Sequence, residues 1–202
     1  MPNMLRFALG SLLVGVAALS LGACASKGSW MGAEAEKAYD KDLEIQRLAS
    51  VLNNDDYYEF EKDGRIYVLS DAKDYTNVMT IGELPYSTKK IGGGPGGKTI
   101  IYGLVKNETK LLEKDPKSQG AAQKMYEGKL KGMDKNFFGL VVRADTYFVF
   151  GKWKDLEAFW SQGSASGYTT NAVDGRQVIY VASADKPAEL AARFEKLPPA
   201  KL

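Results

Sequence analysis

The stretch GRIYVLSDAKDYTNVMTIG, Gly64 to Gly82, has a counterpart later in the chain: DTYFVFGKWKDLEAFWSQG, Asp145 to Gly163, follows its pattern without a gap. Val68 falls on Val149, Lys73 and Asp74 fall on Lys154 and Asp155, and Gly82 falls on Gly163. After a net gap of three residues, GKTIIYG from Gly97 falls on GRQVIYV from Gly175, which sets Ile101 and Tyr102 on Ile179 and Tyr180. Self-similarity outranks any short motif, because each copy constrains how the other is read.

The copies give a common map. In the first, Tyr57 to Lys62 and Arg65 to Ser70 flank Asp63-Gly64 and read as a hairpin. A helix is expected from about Ala72 to Ile81 and a second hairpin from Tyr86 to Lys106. The second copy gives strands near Phe137–Arg143 and Thr146–Gly151, a helix near Trp153–Gln162, and strands near Tyr168–Val173 and Arg176–Ser183. The expected fold is therefore α+β, two internal ββαββ repeats (about 57–106 and 137–183) forming an antiparallel sheet with helices packed on one face. Two separate lobes with a cleft between them is the alternative, with a binding site at the junction. Before the first copy, Ala38, Ile45, Leu48 and Leu52 recur at helical spacing within Glu34 to Leu52. Between the copies, residues 107–135 carry charges of both signs and read as a solvated helical linker, or as a docking face built on Leu111, Leu112, Met125 and Leu130. A closing helix is expected over residues 185–197, with Pro187 near its first turn.

The hairpin loop of the first copy contains GGGPGGKT, Gly92 to Thr99, which fits the phosphate-loop pattern at every specified position. A phosphate loop needs a helix after it, so that backbone N–H groups and the helix N-terminus face the phosphates. Here Lys98 is followed by TIIYGLV, a strand-forming run, and the second copy has the ordinary turn NAVDGRQ in the same slot. The segment reads as an expanded hairpin loop. Its glycines, Gly92, Gly93, Gly94, Gly96 and Gly97, form a candidate ligand or partner loop, because backbone without side chains permits close approach.

The chain begins MPNMLRFALGSLLVGVAALSLGACASKGSW, a positive start at Arg6, an apolar run from Phe7 to Leu21, then small residues before Cys24. That is the three-part layout of an export signal. Leu21-Gly22-Ala23-Cys24 resembles the lipobox of bacterial lipoproteins, with Leu21, Gly22 and Ala23 as the signal-peptidase recognition residues. The resemblance implies that the Cys24 thiol is alkylated with diacylglycerol, residues 1–23 are removed, and the new amino group is acylated. More than one acyl chain makes anchoring stable. Residues 24–33 would then be anchor and tether, and residues 34–202 the domain. Ala25, where an aspartate would resemble an inner-membrane retention signal, favours the periplasmic leaflet of the outer membrane.

Composition narrows the chemistry. In 202 residues there is no histidine and one cysteine, Cys24, which removes the usual proton shuttle, the commonest metal ligand and a second thiol. A triad hydrolase, a thiol protease and an ordinary zinc enzyme are set aside, and no cofactor or metal is expected. With 27 Lys and Arg against 25 Asp and Glu and no polybasic run, nucleic acid is not an expected partner. The first functional reading is a non-enzymatic envelope lipoprotein that binds a protein partner as an adaptor, assembly factor or inhibitor. The second is a peptidoglycan or small-ligand binding module, which requires exposed aromatics converging on the Gly92–Gly97 loop. Trp153, Phe159 and Trp160 are its candidates, against their commoner role as core. The third is a carboxylate-based hydrolase with two acids across a cleft roughly 5 to 10 Å apart.

Overall fold

Runs of β-branched and aromatic residues supply the strands. In a computed structural model, which describes residues 32–172 and 174–201, they are β1 (Asp56–Lys62), β2 (Arg65–Leu69), β3 (Ser87–Lys90), β4 (Thr99–Gly103), β5 (Phe138–Arg143), β6 (Thr146–Phe150), β7 (Gly167–Asn171) and β8 (Gln177–Val181). The described helices are α1 (Ala33–Ala49), α2 (Ala72–Thr80), α3 (Lys106–Lys114), α4 (Ala121–Tyr126), α5 (Trp153–Gln162) and α6 (Ala188–Phe194). The signal and anchor residues Leu21, Gly22, Ala23 and Cys24 lie outside the described residues.

All eight strands join one sheet in the order β3-β4-β2-β1-β5-β6-β8-β7. Each sequential hairpin is antiparallel, but β1 pairs with β5, β2 with β4, and β6 with β8 in parallel. The expected antiparallel sheet is thus a mixed one. The reason is the crossover: a chain leaving β2 through α2 and β3 comes back beside β2 as β4, running the same way, which only a long connection permits. The same holds for β6 and β8, with α5 and β7 between them.

The helices cover both faces, not one. On the face called here the front, α2 and α6 bury Tyr75, Val78, Met79 and Phe194 against Tyr58, Phe60, Leu69, Leu140 and Val149. On the back, α4 and α5 bury Ala122, Met125, Trp153, Leu156 and Phe159 against Tyr57, Val68, Ile100, Tyr102 and Phe150. Two-sided cover follows from the strands themselves. Segments such as RIYVL and FGLVVR are apolar at consecutive positions, and consecutive side chains point to opposite faces. The outer strands, STKK and GYTTN, are polar and largely exposed, which protects the sheet edges from further pairing.

The expected linker helix is two helices, and neither is a solvated rod. Leu111 on α3 and Met125 on α4 are fully buried, so neither residue belongs to a docking face. Glu108 joins the two: its carboxylate accepts from the backbone N–H of Val105 (3.1 Å) and of Ala121 (3.0 Å), satisfying an orphan donor at the start of each helix. On α2, Asp71 is the N-cap and accepts from the N–H of Lys73 at 2.7 Å. Helix α1 rests on α3, where Glu44 and Lys114 form a 2.7 Å ion pair, and Leu48 is its buried residue.

Candidate functional site

Strand β1 reads DYYEFEK, and its alternation sends Tyr57, Glu59 and Glu61 to the back of the sheet while Tyr58 and Phe60 go to the front. Where β1 meets β5 on the back, between α4 and α5, lies a cleft of about 530 Å³. That is the size range of small-ligand sites. Glu59, Ile66, Val142 and Arg143 line it from the sheet, Tyr126 at the end of α4 and Trp160 on α5 stand at its sides, and Glu61, Pro95, Lys98 and Ala144 complete it.

The buried acid in this cleft has three donors. Glu59 is 3% exposed and accepts from the Tyr57 hydroxyl at 2.7 Å, from the Trp160 indole N–H at 3.2 Å and from the Arg143 guanidinium. Nearer the solvent, Glu61 pairs with Lys98 at 2.6 Å. Each negative charge in the cleft therefore has a cation of its own. Burial and the neighbouring Glu59 carboxylate push the Tyr57 hydroxyl well above the ordinary phenol range, and burial followed by Glu59 raises Tyr126. Both phenols stay neutral, and the Tyr57 O–H remains a donor.

The aromatic wall separates the sequence candidates. Trp153 is 5% exposed and packs edge-on against Phe137 (5.6 Å between ring centres), Trp160 (5.3 Å) and Tyr57 (6.1 Å), so it belongs to the core. Phe159 is buried against Phe148 and Phe150. Trp160 is half-buried, with its indole N–H on Glu59 and its ring lining the cleft.

The glycine-rich segment connects β3 to β4 as a hairpin, and Lys98 leads into a strand. Gly92, Gly93, Gly96 and Gly97 are exposed and do not line the cleft, which the loop reaches through Pro95 and Lys98. Gly94 has a packing reason: a Cβ there would sit 2.9 Å from Cδ1 of Ile66 and 3.1 Å from the Lys98 carbonyl oxygen, so its absence lets the loop lie down on the cleft wall. Among the described residues, no three His, Cys, Asp or Glu side chains gather into a metal-holding group.

Glu59, Tyr126 and Arg143 were not singled out from the sequence. A signal was present for Glu59 alone: an acid at an interior position of an aromatic strand must find donors once the strand is buried. No family model matches the chain, and no curated protein or solved structure matches it.

Proposed function

We infer that the domain consists of two copies of one unit related by a two-fold axis running along the strands between β1 and β5. Such an axis keeps strand direction and exchanges the two faces of the sheet. Support comes from the residues that align in sequence. Leu69, Tyr75 and Val78 are in the front core and their counterparts Phe150, Leu156 and Phe159 in the back. Ile66, Val68 and Tyr102 are in the back and their counterparts Tyr147, Val149 and Tyr180 in the front. The parallel registers agree as well, Val68 with Tyr102 and Val149 with Tyr180.

On this reading the protein is a lipid-anchored envelope lipoprotein, held through Cys24 on the periplasmic leaflet of the outer membrane, and it acts as a non-enzymatic binding or adaptor protein whose partner engages the cleft between α4 and α5. The observation that carries it is the engagement of Glu59. A buried carboxylate that accepts from three donors, one of them a guanidinium, is a fixed part of the wall, its orientation set by its partners. With Glu61 paired to Lys98 as well, both cleft acids are engaged with cations, which favours binding over carboxylate-based hydrolysis. The half-buried rings of Trp160 and Tyr126 favour a second reading, a peptidoglycan or small-ligand module.

The test is photo-cross-linking of the full chain in its cell envelope, with p-benzoylphenylalanine at position 126 in the cleft and, as control, at exposed position 154 on α5, outside the lining of this cleft. A defined protein captured from position 126 and not from 154 supports the reading. No adduct specific to the cleft overturns it. Loss of palmitate incorporation and of membrane association in Cys24→Ala tests the anchor.

A further inference from the structure

The front of the sheet has a counterpart of the cleft, and it is occupied by this chain. After α6, the segment Leu197–Lys201 crosses the front face with Leu197 buried in the core. The Pro198 carbonyl accepts from the Tyr75 hydroxyl at 3.3 Å, the Ala200 N–H donates to the Tyr147 hydroxyl at 2.8 Å, and the Lys201 N–H meets the Met79 sulfur at 3.3 Å. The Lys62 ammonium closes the set by donating to the Lys201 carbonyl at 2.6 Å. In the alignment of the two copies, Tyr147 corresponds to Ile66, Met79 to Trp160 and Lys62 to Arg143. The last pair holds in the structure, because Lys62 faces Arg65 and Arg143 faces Thr146 at equivalent places in their hairpins. Ile66, Trp160 and Arg143 line the open cleft.

The back face stays open because the chain leaves it. After α4 the backbone turns at Gly128, where φ is +69°, and heads for β5 with Met133 N–H on the Asn54 carbonyl. The front and back surfaces are thus built from corresponding positions, one crossed by an extended segment and one left as an open cleft in which Trp160 and Arg143 are accessible and Ile66 lies under the Gly94 loop.

We propose that the cleft receives an extended polypeptide segment of a partner protein, laid over Trp160 with a backbone carbonyl on Arg143, as Leu197–Lys201 lies over Met79 with its carbonyl on Lys62. The inference rests on the duplication and on the cleft as the binding site. The charges of the cleft agree with it. Glu59 pairs with Arg143 and Glu61 with Lys98, so the cleft has no excess of either charge to draw a charged ligand, and an uncharged peptide backbone suits it. Arg143 is 46% exposed and has guanidinium N–H groups to spare beyond its bonds to Glu59 and the Val142 carbonyl.

The experiment is panning of random dodecapeptides displayed on phage against the full chain in detergent, followed by affinity measurement on synthetic copies of the enriched peptides. Ala144→Trp fills the mouth of the cleft at an exposed residue of its lining. Tyr126→Ala removes one wall, and Lys154→Ala is the distant control. Melting curves establish that each variant is folded. The expected result is a set of peptides whose affinity falls about tenfold or more in Ala144→Trp and in Tyr126→Ala and is unchanged in Lys154→Ala. Absence of any enriched peptide, or peptides that bind all variants alike, overturns the proposal. So does quenching of Trp160 fluorescence by an N-acetylglucosamine disaccharide with no cleft-dependent peptide found. If position 126 captures a protein in cells while panning yields no such peptide, the binding reading stands and the extended-segment inference falls. If both fail, both fall.

Discussion

Arg143 on β5 donates to the carboxylate of Glu59 on β1, so the two strands at the centre of the sheet are held by an ion pair as well as by a parallel ladder. The Arg143 side chain is 46% exposed and the Glu59 side chain 4%. That asymmetry decides what each substitution does. Arg143→Ala leaves a buried carboxylate with only its two neutral donors and is expected to cost about 2 kcal/mol, below the full range for a buried pair because water reaches the arginine side. Adding Glu59→Gln removes the stranded charge and is expected to recover about half of that loss. Urea unfolding midpoints of the single and double variants check it.

The two tryptophans of α5 are expected to behave differently. Trp153→Ala opens a cavity against Phe137 and Tyr57 and is expected to cost about 3–5 kcal/mol. Trp160→Ala removes a half-buried ring and one donor to Glu59, for about 1–2 kcal/mol. Equal losses in thermal or urea unfolding would contradict the division into core and cleft wall.

Glu127 follows Tyr126 of the cleft wall and is held well below the carboxylate range, at about 2, first by the hydrogen bond from Lys129 (2.6 Å) and then by Gln123, Gln119 and Lys90. A depressed folded value stabilises the protein above the ordinary carboxylate range, and the contribution disappears as pH falls through the folded value. Glu127→Gln is expected to cost about 1–2 kcal/mol at pH 7, allowing for solvent screening, and the difference from wild type should shrink between about pH 5 and pH 2. Stability measured against pH for both proteins tests this.

Asp74 on α2 is shifted the other way, up to about 6, by burial first and by Asp71 second. The folded protein binds this proton more tightly than the unfolded chain, so stability declines as pH rises from about 4 to 6. Asp74→Asn is expected to stabilise by about 1–2 kcal/mol at pH 8 and to change nothing below about pH 4. A gain of equal size at both pH values would assign the effect to something other than the buried charge.

The strands and the helices within the two copies were legible because the forces that set them act within a few residues, whereas the linker, read as one helix, is two, α3 and α4. Asp63-Gly64 makes the first hairpin with φ of 51° and 70°, conformations that Asp tolerates and Gly prefers, and Asp71 caps α2. The Gly92–Gly97 loop was legible as a hairpin for the same reason, since the β-branched residues after Lys98 form β4. The sheet's direction and the sides taken by the helices were not read correctly. A signal for the second lay in IYVL, TIIY and GLVV, where consecutive apolar residues require cover on both faces. The parallel pairing had no local signal, because the same hairpin can dock by either of its strands.

The cleft was beyond any local reading. Arg143 and Trp160 stand 84 and 101 residues from the carboxylate they share. Residue type and short-range spacing determined the elements, the turns and the resemblance at Cys24, since propensity, capping and turn chemistry are properties of neighbouring residues. Only the tertiary structure decided which strands pair, which face each helix covers, and that Glu59, Arg143, Tyr126 and Trp160 meet, because those outcomes depend on burying two apolar faces at once and on finding partners for a charge that burial has stripped of water.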